Sequence, residues 1–243
     1  MDDYSDETYG ERIAGIYDEW YSKFDPSAIQ TLAELAHGRK VLELGIGTGR
    51  IAIPLLNTGL TIQGIDASES MVARLHAKPG GERITVSMGN FADVPVEDQY
   101  SLIYVVFNTF YALLTQDEQI RCFQNVAKHL SSDGVFVIEA FVPDLKRFIG
   151  GQAIRVTRIE LNEVQVDVSQ IEPNEQVVTS QHIVLTEHGT RLYPVKLRYI
   201  WPVEMDLMAR LSQLQLKERW SDWGKTQFTA DSGKHISVYE HWK

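Results

Sequence analysis

Between residues 39 and 140 the chain alternates short apolar runs with amphipathic stretches, and this alternation constrains the fold more than any other feature. The runs fall at 41–44, 60–65, 84–86, 102–107 and 135–139, with helical spacing at 48–57, 68–77 and 116–130. Strands and helices in this order imply a doubly wound parallel sheet, an α/β fold. Asp133-Gly134 reads as the turn before the fifth strand. Ahead of this region, Ile13, Ile16, Tyr17, Trp20 and Tyr21 predict one helix, and Ile29, Leu32, Leu35 and Ala36 a second, stopped by Gly38. Beyond it, residues 153–202 change to strict alternation broken at Pro173-Asn174 and His188-Gly189, which predicts an antiparallel meander inserted after the fifth strand. A helix from 204 to 211 and strands at 216–220 and 235–242 then return to the sheet. The expected organisation is a helical cap at 1–37, a core at 38–152 and 203–243, and a covering layer at 153–202.

The first strand runs Val41-Leu42-Glu43-Leu44 into Gly45-Ile46-Gly47-Thr48-Gly49-Arg50 and then a helix. Glycines at this junction let the backbone turn tightly and approach a ligand, with the helix N-terminus supplying free amides. The dinucleotide fingerprint requires a third glycine where Arg50 stands, which disfavours a nicotinamide-dependent oxidoreductase without removing it. The second strand ends Gly64-Ile65-Asp66-Ala67-Ser68, putting an acid at its carboxyl end, and Gly89-Asn90-Phe91-Ala92-Asp93 follows the third. Asp66 also reads as a helix cap.

Loop, spaced acid and third element together resemble the class I S-adenosylmethionine-dependent methyltransferases. The resemblance covers roughly residues 9–140 and the last two strands. It implies a Rossmann-like fold, S-adenosyl-L-methionine as cofactor and S-adenosyl-L-homocysteine as product. It further implies that Glu43, Gly45, Gly47 and Gly49 form the cofactor loop, that Asp66 and Ala67 hold the ribose, and that Asn90 and Phe91 meet the adenine. Asn90 stands where the family commonly has Asp. In the family the backbone at the Phe107 position lies beside the methionine moiety, and Ile16-Tyr17-Asp18 resembles a leader element whose tyrosine reaches the same end. Phe107-Asn108-Thr109-Phe110 lacks the prolines of methylases acting on base amines. The tail from Trp220 to Tyr239, like the inserted layer, resembles methyltransferases of antibiotic and deoxysugar pathways. A noncatalytic nucleoside-binding protein on the same fold stays open.

The net charge of −10 argues against nucleic acid as partner. No apolar run approaches the ~18–20 residues of a membrane span. An acidic start without an apolar core and the single Cys122 point to a cytoplasmic protein, with a homodimer open. The seven histidines show no metal-ligand spacing, so no metal is expected. The expected partner is a small-molecule acceptor, methylated on nitrogen or oxygen.

The acceptor pocket is expected beneath the meander. A two-residue turn at His188-Gly189 pairs Glu187 with Thr190, so Val184 faces Tyr193, His182 faces Val195, Ser180 faces Leu197 and Val178 faces Tyr199, a face that Trp201 extends. His182 is the candidate base or hydrogen-bond donor there, or else a core histidine bonded to backbone. A two-residue Pro173-Asn174 turn sets Gln165, not Val164, beside His182, so a three- or five-residue loop or a bulge is expected there, which restores the apolar alignment. Tyr9, Tyr111, Phe141, Tyr193, Tyr199 and Trp201 complete the expected acceptor contacts.

Overall fold

The computed structural model describes residues 4–37 and 39–242, so the helix stop expected at Gly38 lies outside the described residues. The leader forms two short helices, α1 (Thr8–Ile13) and α2 (Tyr17–Trp20), not the single helix expected from its stripe. Ile16 departs from helical geometry at φ −125° and ψ −2°, and the bend lets Ile13 and Ala14 pack under the meander while Tyr17 and Tyr21 turn toward the sheet. α3 (Pro26–Ala36) begins with proline in its first turn and the Asp25 carboxylate accepting from the Ser27 amide.

The core follows as β1 (Lys40–Leu44), α4 (Ala52–Leu56), β2 (Thr61–Asp66), α5 (Glu69–His76), β3 (Thr85–Met88), β4 (Tyr100–Val105), α6 (Gln116–His129) and β5 (Leu130–Phe141). α4 starts four residues later than expected, because the glycine loop continues through residues 45–51. α6 is fixed at its start by a reciprocal capping box between Thr115 and Glu118. Asp133-Gly134 does not precede β5 but lies within it. There the register against β4 jumps from Tyr100–Leu130 to Leu102–Val135, so the extra residues bulge out of the pairing.

The insertion is a four-stranded antiparallel sheet, β6 (Gln152–Ile159), β7 (Glu163–Glu172), β8 (Val177–Thr186) and β9 (Gly189–Arg198). α7 (Pro202–Leu211) leads back to β10 (Leu214–Trp220) and β11 (Lys234–His241). Among the described residues, the main sheet has the order β10-β11-β5-β4-β1-β2-β3, with β11 antiparallel to both its neighbours and the other strands parallel to one another. This is the Rossmann-like doubly wound sheet with an antiparallel meander after the fifth strand. No helix of the described residues is long and apolar enough to cross a membrane.

Both hairpin registers differ in detail from expectation. The last turn is Glu187-His188, with Thr186 pairing Gly189, so His182 faces Tyr193, Ser180 faces Val195 and Val178 faces Leu197. Gly189 adopts φ +133°, a conformation open to glycine, which lets pairing resume one position earlier. The slip is two residues, so each side chain keeps its assigned face. The hairpin between β7 and β8 has a four-residue loop, with Glu172 pairing Val177, and not the odd loop expected. Even spacing puts Asp167 opposite His182 and Ser169 opposite Ser180, while Val164, Val166 and Val168 go to the other face.

The meander is pinned to the core at its C-terminal end. Arg198, 5% exposed, donates to Gln176 and Glu204, each at 2.9 Å, and to Gln119 of α6. Removing one partner of such a buried pair costs about 3–5 kcal/mol. Arg198→Ala is expected to lose stability of this order, read as a lower urea midpoint at unchanged slope.

Candidate active site

The carboxyl ends of β1, β2 and β4 meet the leader and the inner face of the meander around one cavity of about 840 Å³. The loop after β1 enters it through Gly45 and Gly47, at φ +68° and +56°. A Cβ built on Gly47 meets nothing within 4 Å and projects into open space, whereas one on Gly49 comes to 2.1 Å from Leu75 Cδ1. Two glycines of one motif therefore have different physical reasons. Gly47 keeps the cavity wall bare, and Gly49 lets the loop pack on α5.

Asp66 closes β2. Its Oδ2 accepts from the Gly47 amide at 2.7 Å and its Oδ1 from the Ser68 amide at 2.9 Å. Each carboxylate oxygen retains a further lone pair, enough for a pair of ligand hydroxyls. Burial pushes the Asp66 carboxyl up, opposed by these backbone amides. Ala67, Asn90 and Phe91 line the same end of the cavity. The Asn90 amide oxygen accepts from the Ala92 amide at 2.7 Å, and its nitrogen donates to Asp6 at 2.7 Å, which ties the leader to this rim.

Glu43 lies behind the loop and outside the main cavity, 3% exposed, accepting from the Tyr104 hydroxyl at 2.7 Å. Burial pushes its carboxyl up to about 8. Its visible work is to hold β1 to β4.

Beyond β4, Phe107 and Asn108 both take left-handed backbone conformations, φ +59° and +65°, sparsely populated for such residues. The Glu139 carboxylate accepts from the Phe107 amide at 3.1 Å, and the Asn108 side chain accepts from the Phe141 amide at 2.8 Å, holding the turn in place. The Phe107 ring meets Tyr21 edge-on at 5.0 Å and carries the Arg50 guanidinium at 4.1 Å. Tyr9, Tyr17 and Tyr21 continue this aromatic wall, and burial pushes the Tyr17 hydroxyl up to about 12. Asp18, next to Tyr17, accepts from the Thr48 hydroxyl at 2.6 Å and pairs with Lys78 at 2.7 Å, latching the leader to the glycine loop.

The cavity thus gathers Tyr9, Tyr17, Gly45, Gly47, Asp66, Ala67, Asn90, Phe91, Phe107, Phe141, His182 and Tyr199 of the expected residues. Glu43, Gly49, Tyr111, Tyr193 and Trp201 stand outside it. Tyr111 is buried, donating to the carbonyls of Phe141 and Ile200. Tyr193 packs on Trp20 at 5.1 Å. Trp201 is 39% exposed at the start of α7, because the chain has already left the meander. Sequence reasoning missed Tyr21 and Asp167. An even loop length after β7 is the one signal that finds Asp167. Among the described residues no group of three metal-ligating side chains occurs.

A bare glycine cradle beside a strand-end carboxylate is the donor set that a nucleoside cofactor with a ribose diol fits. Comparison with known proteins agrees. Residues 41–134 match the family model of the methyltransferase domain. The CcbJ methyltransferase from Streptomyces caelestis is 39% identical over 99% of this chain and all of that one, with a TM-score of 0.93. Cypemycin N-terminal methyltransferase of a Streptomyces species is 26% identical, covering 96% of this chain and 97% of its own. An S-adenosylmethionine-dependent methyltransferase from Clostridium acetobutylicum shares the fold at 13% identity and a TM-score of 0.79, over 95% of this chain and 98% of its own. The chain belongs to the S-adenosylmethionine-dependent methyltransferases. It is an enzyme with that cofactor, and the nicotinamide alternative falls away.

Gly47→Ala is expected to weaken S-adenosylhomocysteine binding at least tenfold in calorimetry while the protein stays folded. Gly49→Ala is expected to cost about 1–3 kcal/mol of stability through overpacking against Leu75, seen as a lower thermal midpoint.

Proposed function

We propose that this enzyme methylates the nitrogen of a small-molecule amine from secondary metabolism, with oxygen acceptors as the competing class. The observation that carries the reading is the continuity of the cavity. It runs from Gly47 and Asp66 to Val178, Leu197 and Tyr199 on the meander, with Asp167 and His182 set into the same wall. A carboxylate there suits an acceptor that arrives as a cation. The relative named as an N-terminal methyltransferase acts, by its name, at an N-terminus, and a free N-terminus is an amine.

Bound S-adenosylmethionine supplies a methyl group on positively charged sulfur. In this reading Asp66 takes the ribose hydroxyls, and Ala67, Asn90 and Phe91 surround the adenine. Gly45 and Gly47 admit the backbone, and Tyr17 and the Phe107 backbone stand at the methionine end. Glu43 and Gly49 act through the loop they support. The rings of Tyr17, Tyr21 and Phe107 favour positive charge by roughly 0.5–2 kcal/mol. Tyr9, Phe141 and Tyr199 contact the acceptor. The leader serves as a lid, residues 38–152 and 203–243 as the cofactor-binding core, and 153–202 as the cover of the acceptor pocket. Orientation and exclusion of water then carry most of the rate. The same reading takes the enzyme as cytoplasmic, supported by a lone cysteine that is buried. Labelled S-adenosylmethionine offered with N-methylbenzylamine and piperidine, against benzyl alcohol and phenol, is expected to label the amines. Label on oxygen alone would overturn the nitrogen reading.

A second copy of the chain is the proposed occupant of the outer meander face. Its three cross-strand rows carry Ile154, Val156, Ile159, Val164, Val166, Val168, Ile183, Leu185 and Leu192 with no charged side chain, and five of these are more than 40% exposed. A patch of this kind is self-complementary about a two-fold axis, since it meets itself without charge repulsion. Light scattering after size exclusion is expected to give a dimer, reduced to monomer in Val156→Glu with Leu192→Glu. A wild-type monomer refutes the interface.

A further inference from the structure

We infer that Asp167 and His182 form the proton-accepting pair of this enzyme, with His182 the base that neutralises a protonated amine acceptor and Asp167 the residue that positions it. The inference rests on the nitrogen-acceptor reading above.

Geometry isolates the pair. His182 on β8 and Asp167 on β7 are cross-strand partners, and the imidazole Nδ1 bonds the Asp167 carboxylate. Both side chains are about one-quarter exposed and line the cavity. Engaging Nδ1 fixes the ring orientation and leaves Nε2 on the opposite edge. Among the described residues, the bond to Asp167 is the one hydrogen bond of the His182 side chain. The Trp20 ring stands edge-on to the imidazole, 6.3 Å away and nearly perpendicular.

The pair also stands close to the reacting end. The Asp167 charge is felt by the Tyr21 hydroxyl, and Tyr21 is the side chain that covers Phe107. The ionisable groups facing the imidazole are Asp167 on β7, with Arg155 of β6 paired across from it, and Tyr193 opposite on β9. From the leader they are Tyr21 and its hydroxyl partner Tyr9, 3.4 Å apart. The next row of the same face, Ser169 against Ser180 at 2.8 Å, is neutral and offers no base.

The chemistry balances without another reagent. An ammonium acceptor has no lone pair and cannot attack. His182 Nε2 takes one N–H proton, becoming an imidazolium stabilised by Asp167, and the nitrogen recovers its electron pair. That pair forms the new N–C bond to the sulfonium methyl as the C–S electrons pass to sulfur. The product is an N-methylated ammonium, and His182 returns its proton to solvent when the pocket opens.

His182→Gln and Asp167→Asn test this, with N-methylbenzylamine as acceptor. Near pH 7, kcat/KM is expected to fall about 100-fold or more in His182→Gln, with S-adenosylhomocysteine affinity unchanged. The deficit should shrink as pH rises towards the amine's own pKa, because solvent then supplies the free base. Asp167→Asn should show a smaller deficit with the same trend. A loss equal at every pH, or no loss, overturns the pair as base. Should the wild type methylate benzyl alcohol and no amine, the nitrogen reading fails first, and separately. A readout independent of turnover is the His182 ring N–H proton in the S-adenosylhomocysteine-loaded enzyme. It should resonate far downfield in the wild type and move upfield in Asp167→Asn. An unmoved resonance also refutes the pair.

Discussion

The bond from the Gly47 amide to the Asp66 carboxylate holds the working end of this molecule in shape. Parallel strands end with unpaired backbone groups, and here two neighbouring ends are joined by one charged hydrogen bond. With the Ser68 amide on the other oxygen, Asp66 fixes both the glycine loop and the start of α5. Asp18 then clasps the loop from the leader side through Thr48. The cavity exists because these three segments are held apart at a set distance while the positions between them, Gly47 above all, carry no side chain.

The meander meets a different requirement. Among the described residues no helix lies over its outer face, so it must be anchored at its ends, and the Arg198–Glu204–Gln176 cluster supplies one such anchor next to α6. The polar rows that close the cavity add little to the apolar core, where Leu197 and Val178 already belong. Val178, Leu197 and Tyr199 thus serve the core and the cavity wall together, while the polar rows serve the wall alone.

Much of this was legible in the sequence. The strand–helix alternation, the glycine loop and Asp66 are local signals with fixed spacing, and the parallel sheet follows from them. The leader's bend at residues 14–16 was not, since a single apolar stripe fits one helix as well as two. Asp133-Gly134 carries turn residues yet bulges inside β5, because pairing on both sides overrides local preference. The meander was read to the right face but the wrong partner. Side-chain parity survives a two-residue slip, whereas cross-strand identity does not. Val164, Val166 and Val168 looked like the inward set because apolar residues usually are. Loop parity sent them outward, and Asp167 took the inward place.

That division of faces bears on how such an enzyme can change over time. The meander side of the cavity is made from alternate positions of β7, β8 and β9, and the positions between them point away. Exchanging Ser169, Ser180 or Val195 reshapes this side of the cavity without touching the glycine loop or the main apolar core. A lineage built on this plan can reshape one wall of its cavity through single substitutions on one strand face, keeping the glycine loop and Asp66 intact throughout.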